Sequence, residues 1–289
     1  MIRRTHLPAL AAVLALAAAA CAPADDKPST SVSPSAAGSA SAACTKDQLT
    51  LYKPGRLTIG TDKPAFEPWF KNDDPTNGEG FESAVAYAVA DRLGFAKSDV
   101  AWVTVAFNSS FAPGAKKFDF DINQISVSAE REKAATFSDG YYTVNQAVVA
   151  LDGTRYTDLA TLRSARIAVQ VGTTSLQAVQ DQIKPTTQPR VFDNQIDTIS
   201  ALKNKQVDAV VLDLPTAFYV TAAQVKGAKI VGQLPAVGGD NEEFGLLLEK
   251  DNPLVTCLNT AIGGLKSSGE LARIQDRWLT GDAGAPVLK

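Results

Sequence analysis

Residues 166–174 read RIAVQVGTT, and residues 197–213 read DTISALKNKQVDAVVLD. The first stretch is a short, mostly apolar run that stops at Gly172-Thr173-Thr174, where a helix is expected to begin. In the second, residues 197–204 carry apolar side chains at helical spacing, and residues 207–212 form a nearly continuous apolar run of strand length. Such a run suits a strand buried on both faces. Strand, helix and strand in that order form the unit of a parallel sheet whose connections cover its faces.

The same alternation continues outward on both sides. Residues 57–60, 100–105, 118–127, 147–151 and 244–248 read as strands. Residues 81–93 (FESAVAYAVADRL) read as a helix stopped by Gly94, and residues 253–266 and 270–279 close the chain as helices. Polar side chains gather just past the strand ends: Thr61-Asp62, Gln124 and Ser126, Gly172-Thr173-Thr174, and Asp213. Open α/β sheets bind ligands outside the carboxyl ends of their strands. Four such ends, drawn from both halves of the chain, point to a ligand held between two lobes.

Composition narrows the chemistry. The chain has 289 residues, 45% of them hydrophobic and 20% charged, with a net charge of −3. That balance suits a soluble globular body and excludes a basic nucleic-acid binder. The one histidine, His6, lies in a segment expected to be removed. Histidine-based triads, acid–base catalysis and metal sites are then excluded from the mature chain. No GxxxxGK[ST] nucleotide loop and no convincing carboxylate pair appears, so neither a metal nor a cofactor is expected.

Residues 1–20 have a short basic start and an apolar run, the parts of a secretory signal peptide. Cys21 follows Ala18-Ala19-Ala20 and resembles the lipidated cysteine of bacterial lipoproteins, with Ala18 where those usually carry Leu. Residues 21–43 are rich in Ala, Ser and Pro and read as a flexible, lipid-anchored tether. In an exported chain, Cys44 and Cys257 suggest a disulfide, the alternative being two buried thiols.

Six stretches together carry a family resemblance: LTIGTD (57–62) with PAFEPWF (64–70), GFESAVAYAVADRLGF (80–95), FDFDINQISVSAEREKAATFSDGYY (118–142), VGTTS (171–175), ALKNKQVDAVVLD (201–213) and LKSSGELARIQDRWL (265–279). The chain resembles the extracellular solute-binding proteins of family 3, the amino-acid-capturing subunits of ABC importers. Ser83 and Ala84 depart from the apolar-then-acid pair usual after Gly-Phe-Asp/Glu in that family.

The resemblance implies an α/β, two-lobed periplasmic-binding-protein-like fold. Each lobe would be a mostly parallel sheet flanked by helices, joined to the other by two hinge strands near residues 148–152 and 242–248. Lobe 1 would be residues 44–148 plus 246–289, and lobe 2 residues 149–245. It implies that Arg131 grips an α-carboxylate, with help from Ser126 and the Gly172-Thr173-Thr174 turn, and that Asp213 pairs with the α-ammonium. An aromatic, Phe66 or Trp69, would cover the ligand side chain. Asp62 and Glu82 are further polar candidates. Gln124 would share the cleft-facing side of its strand with Ser126. The implied protein is a monomer, not an enzyme, anchored outside the cell by its lipid and served by a separate permease and ATPase. A dehydratase-like enzyme on the same fold and a ligand sensor for a membrane receptor are the alternatives.

Overall fold

The computed structural model describes residues 44–236, 242–279 and 285–289. The expected signal peptide, the tether and Cys21 lie outside them.

In chain order the elements are β1 (Leu57–Thr61), α1 (Phe81–Arg92), β2 (Val100–Thr104), α2 (Phe107–Ser110), β3 (Phe120–Asp121) and β4 (Ala135–Val144). Next come β5 (Gln146–Leu151), α3 (Leu159–Leu162), β6 (Ile167–Gln170), α4 (Thr174–Ala178), β7 (Arg190–Phe192) and α5 (Gln195–Lys203). The chain ends with β8 (Ala209–Asp213), α6 (Leu214–Tyr219), β9 (Ala228–Gln233), β10 (Glu242–Glu249), α7 (Leu254–Ser267) and α8 (Glu270–Trp278).

The strands form two five-stranded sheets, in the orders β2-β1-β3-β10-β4 and β7-β6-β8-β5-β9. The two share a plan. Three strands run parallel, a fourth beside them is reversed, and the fifth pairs antiparallel with that one and so runs with the first three. Four of the five strands in each sheet therefore run the same way, and one strand, β10 in the first and β5 in the second, is reversed. The strands next to each crossing (β4, β5, β9 and β10) make the antiparallel pairings. The chain leaves the first sheet after Val144 and enters the second at Gln146, and it returns between Gln233 and Glu242. Both crossings lie a few residues before the expected positions.

The last residues also depart from expectation. Val287 bridges to Gln233, Leu288 donates its amide to the Gln233 carbonyl at 2.8 Å, and the Leu288 side chain is buried in the second lobe. Residues 285–289 therefore extend the second lobe. The expected strand at 118–127 keeps only β3 and a bridge from Ser126 to Phe244 of β10, because the chain bends at Asn123-Gln124, where Gln124 has φ +49°.

Each sheet buries its apolar side chains under helices. In the first lobe, Leu57 and Ile59 of β1, Phe120 of β3 and Leu246 of β10 share one core with Val85 and Val89 of α1. Helix α1 is apolar on more than one stripe because it also packs on α7 and α8. Cys44 and Cys257 are bonded, their Cα atoms 5.3 Å apart and 213 residues apart in sequence. Closing so long a loop stabilises by about 5 kcal/mol in the chain-entropy account. In the second lobe, Val148 and Ala150 of β5 face one helical layer, and Ala147 and Val149 face the other. That alternation is the period of a strand covered on both faces.

Candidate functional site

The carboxyl ends of β1, β6 and β8 and the segment after β3 meet in one cavity between the lobes. Asp62, Phe66, Gln124, Ser126, Arg131, Thr173, Thr174 and Asp213 all line it. The lobes also touch directly. The Trp69 indole N–H donates to Thr216 Oγ1 at 2.9 Å, and Arg131 Nη2 donates to the Gly172 carbonyl at 2.8 Å. Gly172 has φ +74°, and a Cβ there would run into the Asn108 side chain of the first lobe. Only glycine combines that backbone with so close an approach.

Arg131 opens a short 3-10 turn and is 8% exposed. Its Nη1 donates to the Ser126 carbonyl at 2.6 Å. The guanidinium lies 4.7 Å from the Phe111 ring centre and 5.5 Å from that of Phe107. A guanidinium has more donors than these two bonds use, so N–H groups are left for a ligand anion. Burial works against its charge, and the carboxylates of Glu242 and Asp213 work for it.

Asp213 ends β8 at the N-cap of α6 but makes no side-chain cap bond. A helix-capping role is thereby set aside. Gln146 Nε2 donates to its Oδ1 at 2.7 Å, and burial, followed by the neighbouring Glu242 carboxylate, pushes its pKa up to about 8. An ammonium arriving beside it would restore the charged form.

Asp62 is fixed by backbone donors, Lys63 N at 2.6 Å and Phe107 N at 3.2 Å. Burial raises its pKa against those two bonds. Thr173 caps α4, accepting from Leu176 N at 3.2 Å and donating to the Gln170 carbonyl at 2.8 Å.

Gln124 lines the cavity for a different reason from the one expected. It is not in a strand; its φ is +49°, and its backbone N–H donates to Glu82 Oε1 at 2.7 Å. Its side-chain amide is held by the same carboxylate.

Two expected wall residues are not walls. Glu82 is wholly buried behind Gln124, bonded also to the Tyr141 hydroxyl, and burial pushes its pKa up to about 7. Trp69 is 0% exposed and packs edge-on against Phe81, Tyr142 and Phe244. Its large apolar surface goes into the first core, and only its N–H reaches the other lobe. Gly172 stands beside the cavity, and its carbonyl serves Arg131.

Sequence reasoning missed Gln146 and Glu242. Gln146 heads the otherwise apolar QAVVAL of β5, and that one polar residue was the available signal. Glu242 offered none, since one more acid in an acidic turn carries no information. The cavity also takes Asn194, Gln195 and Thr198 from the start of α5. Among the described residues no cluster of metal-ligating side chains occurs.

Comparison with known proteins agrees with this geometry. The sequence model of the bacterial extracellular solute-binding proteins, family 3, matches residues 57–281. The arginine-binding extracellular protein ArtP of Bacillus subtilis is 25% identical over 233 residues, 78% of this chain and 87% of its own length. The ABC transporter arginine-binding protein 1 of Escherichia coli is 29% identical over 227 residues, 76% of this chain and 88% of its own. The solved structure of an ancestral arginine-binding protein bound to arginine superposes with a TM-score of 0.67 at 32% identity, over 78% of this chain and 98% of that one.

Proposed function

We propose that this chain, which belongs to the bacterial extracellular solute-binding proteins of family 3, captures an α-amino acid between its lobes and delivers it to an ABC importer. One observation carries the reading. A buried arginine of the first lobe and a half-buried aspartate of the second line the same cavity. A zwitterion needs one partner of each sign, because an unpaired buried charge costs several kcal/mol. Arg131 offers N–H groups to the α-carboxylate, and Asp213 offers oxygens to the α-ammonium. A ligand bound to both would hold the lobes together.

Two of the relatives, in Bacillus subtilis and Escherichia coli, are named for arginine, and Asp62 adds a second carboxylate to that of Asp213 on the cavity wall. We therefore favour a basic side chain. Phe66 and Phe107 line the same cavity and would flank its methylenes. Delivery calls for a permease and an ATPase as partners, since the chain has no GxxxxGK[ST] loop to supply energy. No helix among the described residues is long and apolar enough to cross a membrane. Lipidation at Cys21, with residues 21–43 as a tether on a monomeric body, would keep the protein near that permease. The enzymatic alternative needs a proton donor at the ligand. Glu82 stands behind Gln124 and off the wall, whereas Asp62 and Asp213 line it, so turnover of a candidate acid is the observation that would favour this alternative.

A thermal-shift screen of the mature protein, refolded free of ligand, tests the reading. It would cover the standard amino acids with ornithine, citrulline and cystine. A ligand at about 100 times its dissociation constant stabilises by about 2.7 kcal/mol. We expect clear shifts with arginine, lysine or ornithine. Shifts with none of the amino acids would refute the assignment.

A further inference from the structure

Glu242 sits at the start of β10, where the chain returns to the first lobe, and its carboxylate gathers bonds from both lobes. Ser126 Oγ of the first lobe and Thr174 Oγ1 of the second both reach Oε1, the latter at 2.6 Å. Gln146 Nε2 reaches Oε2 at 3.2 Å. The orientation of that amide is fixed from behind, because its oxygen accepts from the Ser175 hydroxyl. The charged groups facing Glu242 are Arg131 and Asp213, with Asp181 across a neighbouring cavity.

A carboxylate only accepts hydrogen bonds, so each hydroxyl that reaches it must donate. A serine or threonine hydroxyl has a single proton. Once Ser126 and Thr174 have both given theirs to Glu242, their oxygens keep nothing but lone pairs for a ligand. Both residues line the ligand cavity.

We propose that Glu242 sets the hydrogen-bond polarity of this wall. By drawing in the hydroxyl protons of Ser126 and Thr174, it makes both side-chain oxygens acceptors, so that they receive an ammonium and turn a carboxylate away, and the help these residues give the carboxylate is left to their backbone N–H groups. Glu242 is thus a positioning residue for ligand orientation. It places the amino end against Asp213, Ser126 and Thr174, and leaves the carboxylate to Arg131. The inference rests on the amino-acid reading above and deepens it.

The test is calorimetric titration of wild-type and Glu242→Gln protein with the amino acid that shifts the wild type most, and with its des-amino analogue. The glutamine keeps the volume but brings its own donor, so one hydroxyl can turn its proton to the ligand. We expect the preference for the amino acid over the analogue to fall about tenfold or more, a charge-assisted hydrogen bond being worth that much. Thr174→Val, alone and combined with Glu242→Gln, closes a cycle. If the carboxylate acts through that hydroxyl, the two losses in preference will be less than additive. An unchanged preference in folded Glu242→Gln protein, or strict additivity in the cycle, would overturn the inference and leave the amino-acid reading standing. Wild-type protein that binds no amino acid would overturn both.

Discussion

Arg131, which is buried, and Asp213, which is half-buried, are ionisable groups on the walls of one cavity, yet the protein houses them in opposite ways. Arg131 is provided for before any ligand comes. Two backbone carbonyls accept from it, two phenyl rings flank it, and both carboxylates near it have the opposite sign. Asp213 has one side-chain amide and a carboxylate of its own sign beside it. The anion end of the site is preorganised, and the cation end is completed by the ligand. A pocket built in this way should bind its carboxylate with little rearrangement. Its ammonium should be felt as the ionisation of a carboxyl that burial and a neighbouring acid otherwise hold protonated.

The largest break in that contrast is Arg131→Ala. Truncating one partner of a buried, hydrogen-bonded charge pair costs about 2–5 kcal/mol. Isothermal titration should show affinity for the amino acid falling by that amount. Circular dichroism should show the ligand-free fold retained, since the two backbone carbonyls lie at the cleft. Affinity within a factor of about three of wild type would remove Arg131 from the anion site.

A smaller effect is expected from pH. The Asp213 pKa is raised from its ordinary 3.8 to about 8. The folded, ligand-free protein therefore holds a proton there that the unfolded chain has lost. Its stability falls as pH rises through that window, because the native state binds more protons. Bound ammonium reverses the sign by favouring the carboxylate, so ligand binding releases the proton. Affinity should rise by up to about tenfold per pH unit on the way to about pH 8. Titrations in buffers of different ionisation heat should report the released proton. A flat affinity profile between about pH 5 and 8 would say that Asp213 is already charged before the ligand arrives.

The smallest effect sharpens the other side. Phe111→Leu removes one ring from the Arg131 guanidinium while keeping apolar bulk. Phe111 is half-buried, and a cation–π contact that solvent still reaches is worth about 1 kcal/mol. Affinity should fall by about fivefold, with an unchanged preference between the amino acid and its des-amino analogue. A changed preference would mean that the ring touches the ligand as well as the arginine.

How much could be read in the sequence follows the same division. Strand ends are local, so an apolar run followed by a polar residue placed Asp62, Thr173, Thr174 and Asp213 at the cleft. Arg131 was legible through its motif. What escaped was set by meetings in space. Gln146 and Glu242 come from opposite crossings of the chain, and no local pattern joins them. Glu82 and Gln124 were both expected to face the ligand, but the positive φ of Gln124 turns its amides onto Glu82 and leaves the acid behind the wall. A buried acid inside an apolar helix reads alike in either role. Strands β4, β7 and β9 were missed because their runs are short or polar. Strand β4 carries Asp139-Gly140 at its middle, opposite an irregularity in β10. The tail at 285–289 joins the second lobe through a bridge to Gln233 at the end of β9, which no periodicity announces.

The central claim is that one ligand holds its two charges to two lobes. The measurement that reaches it most directly pairs Asp213→Asn with wild type. Each is titrated with the amino acid and with its des-amino analogue. We predict a loss of about 2 kcal/mol for the amino acid and almost none for the analogue, because only the former presents an ammonium. Equal losses for the two ligands would contradict the account and make Asp213 a residue of the fold.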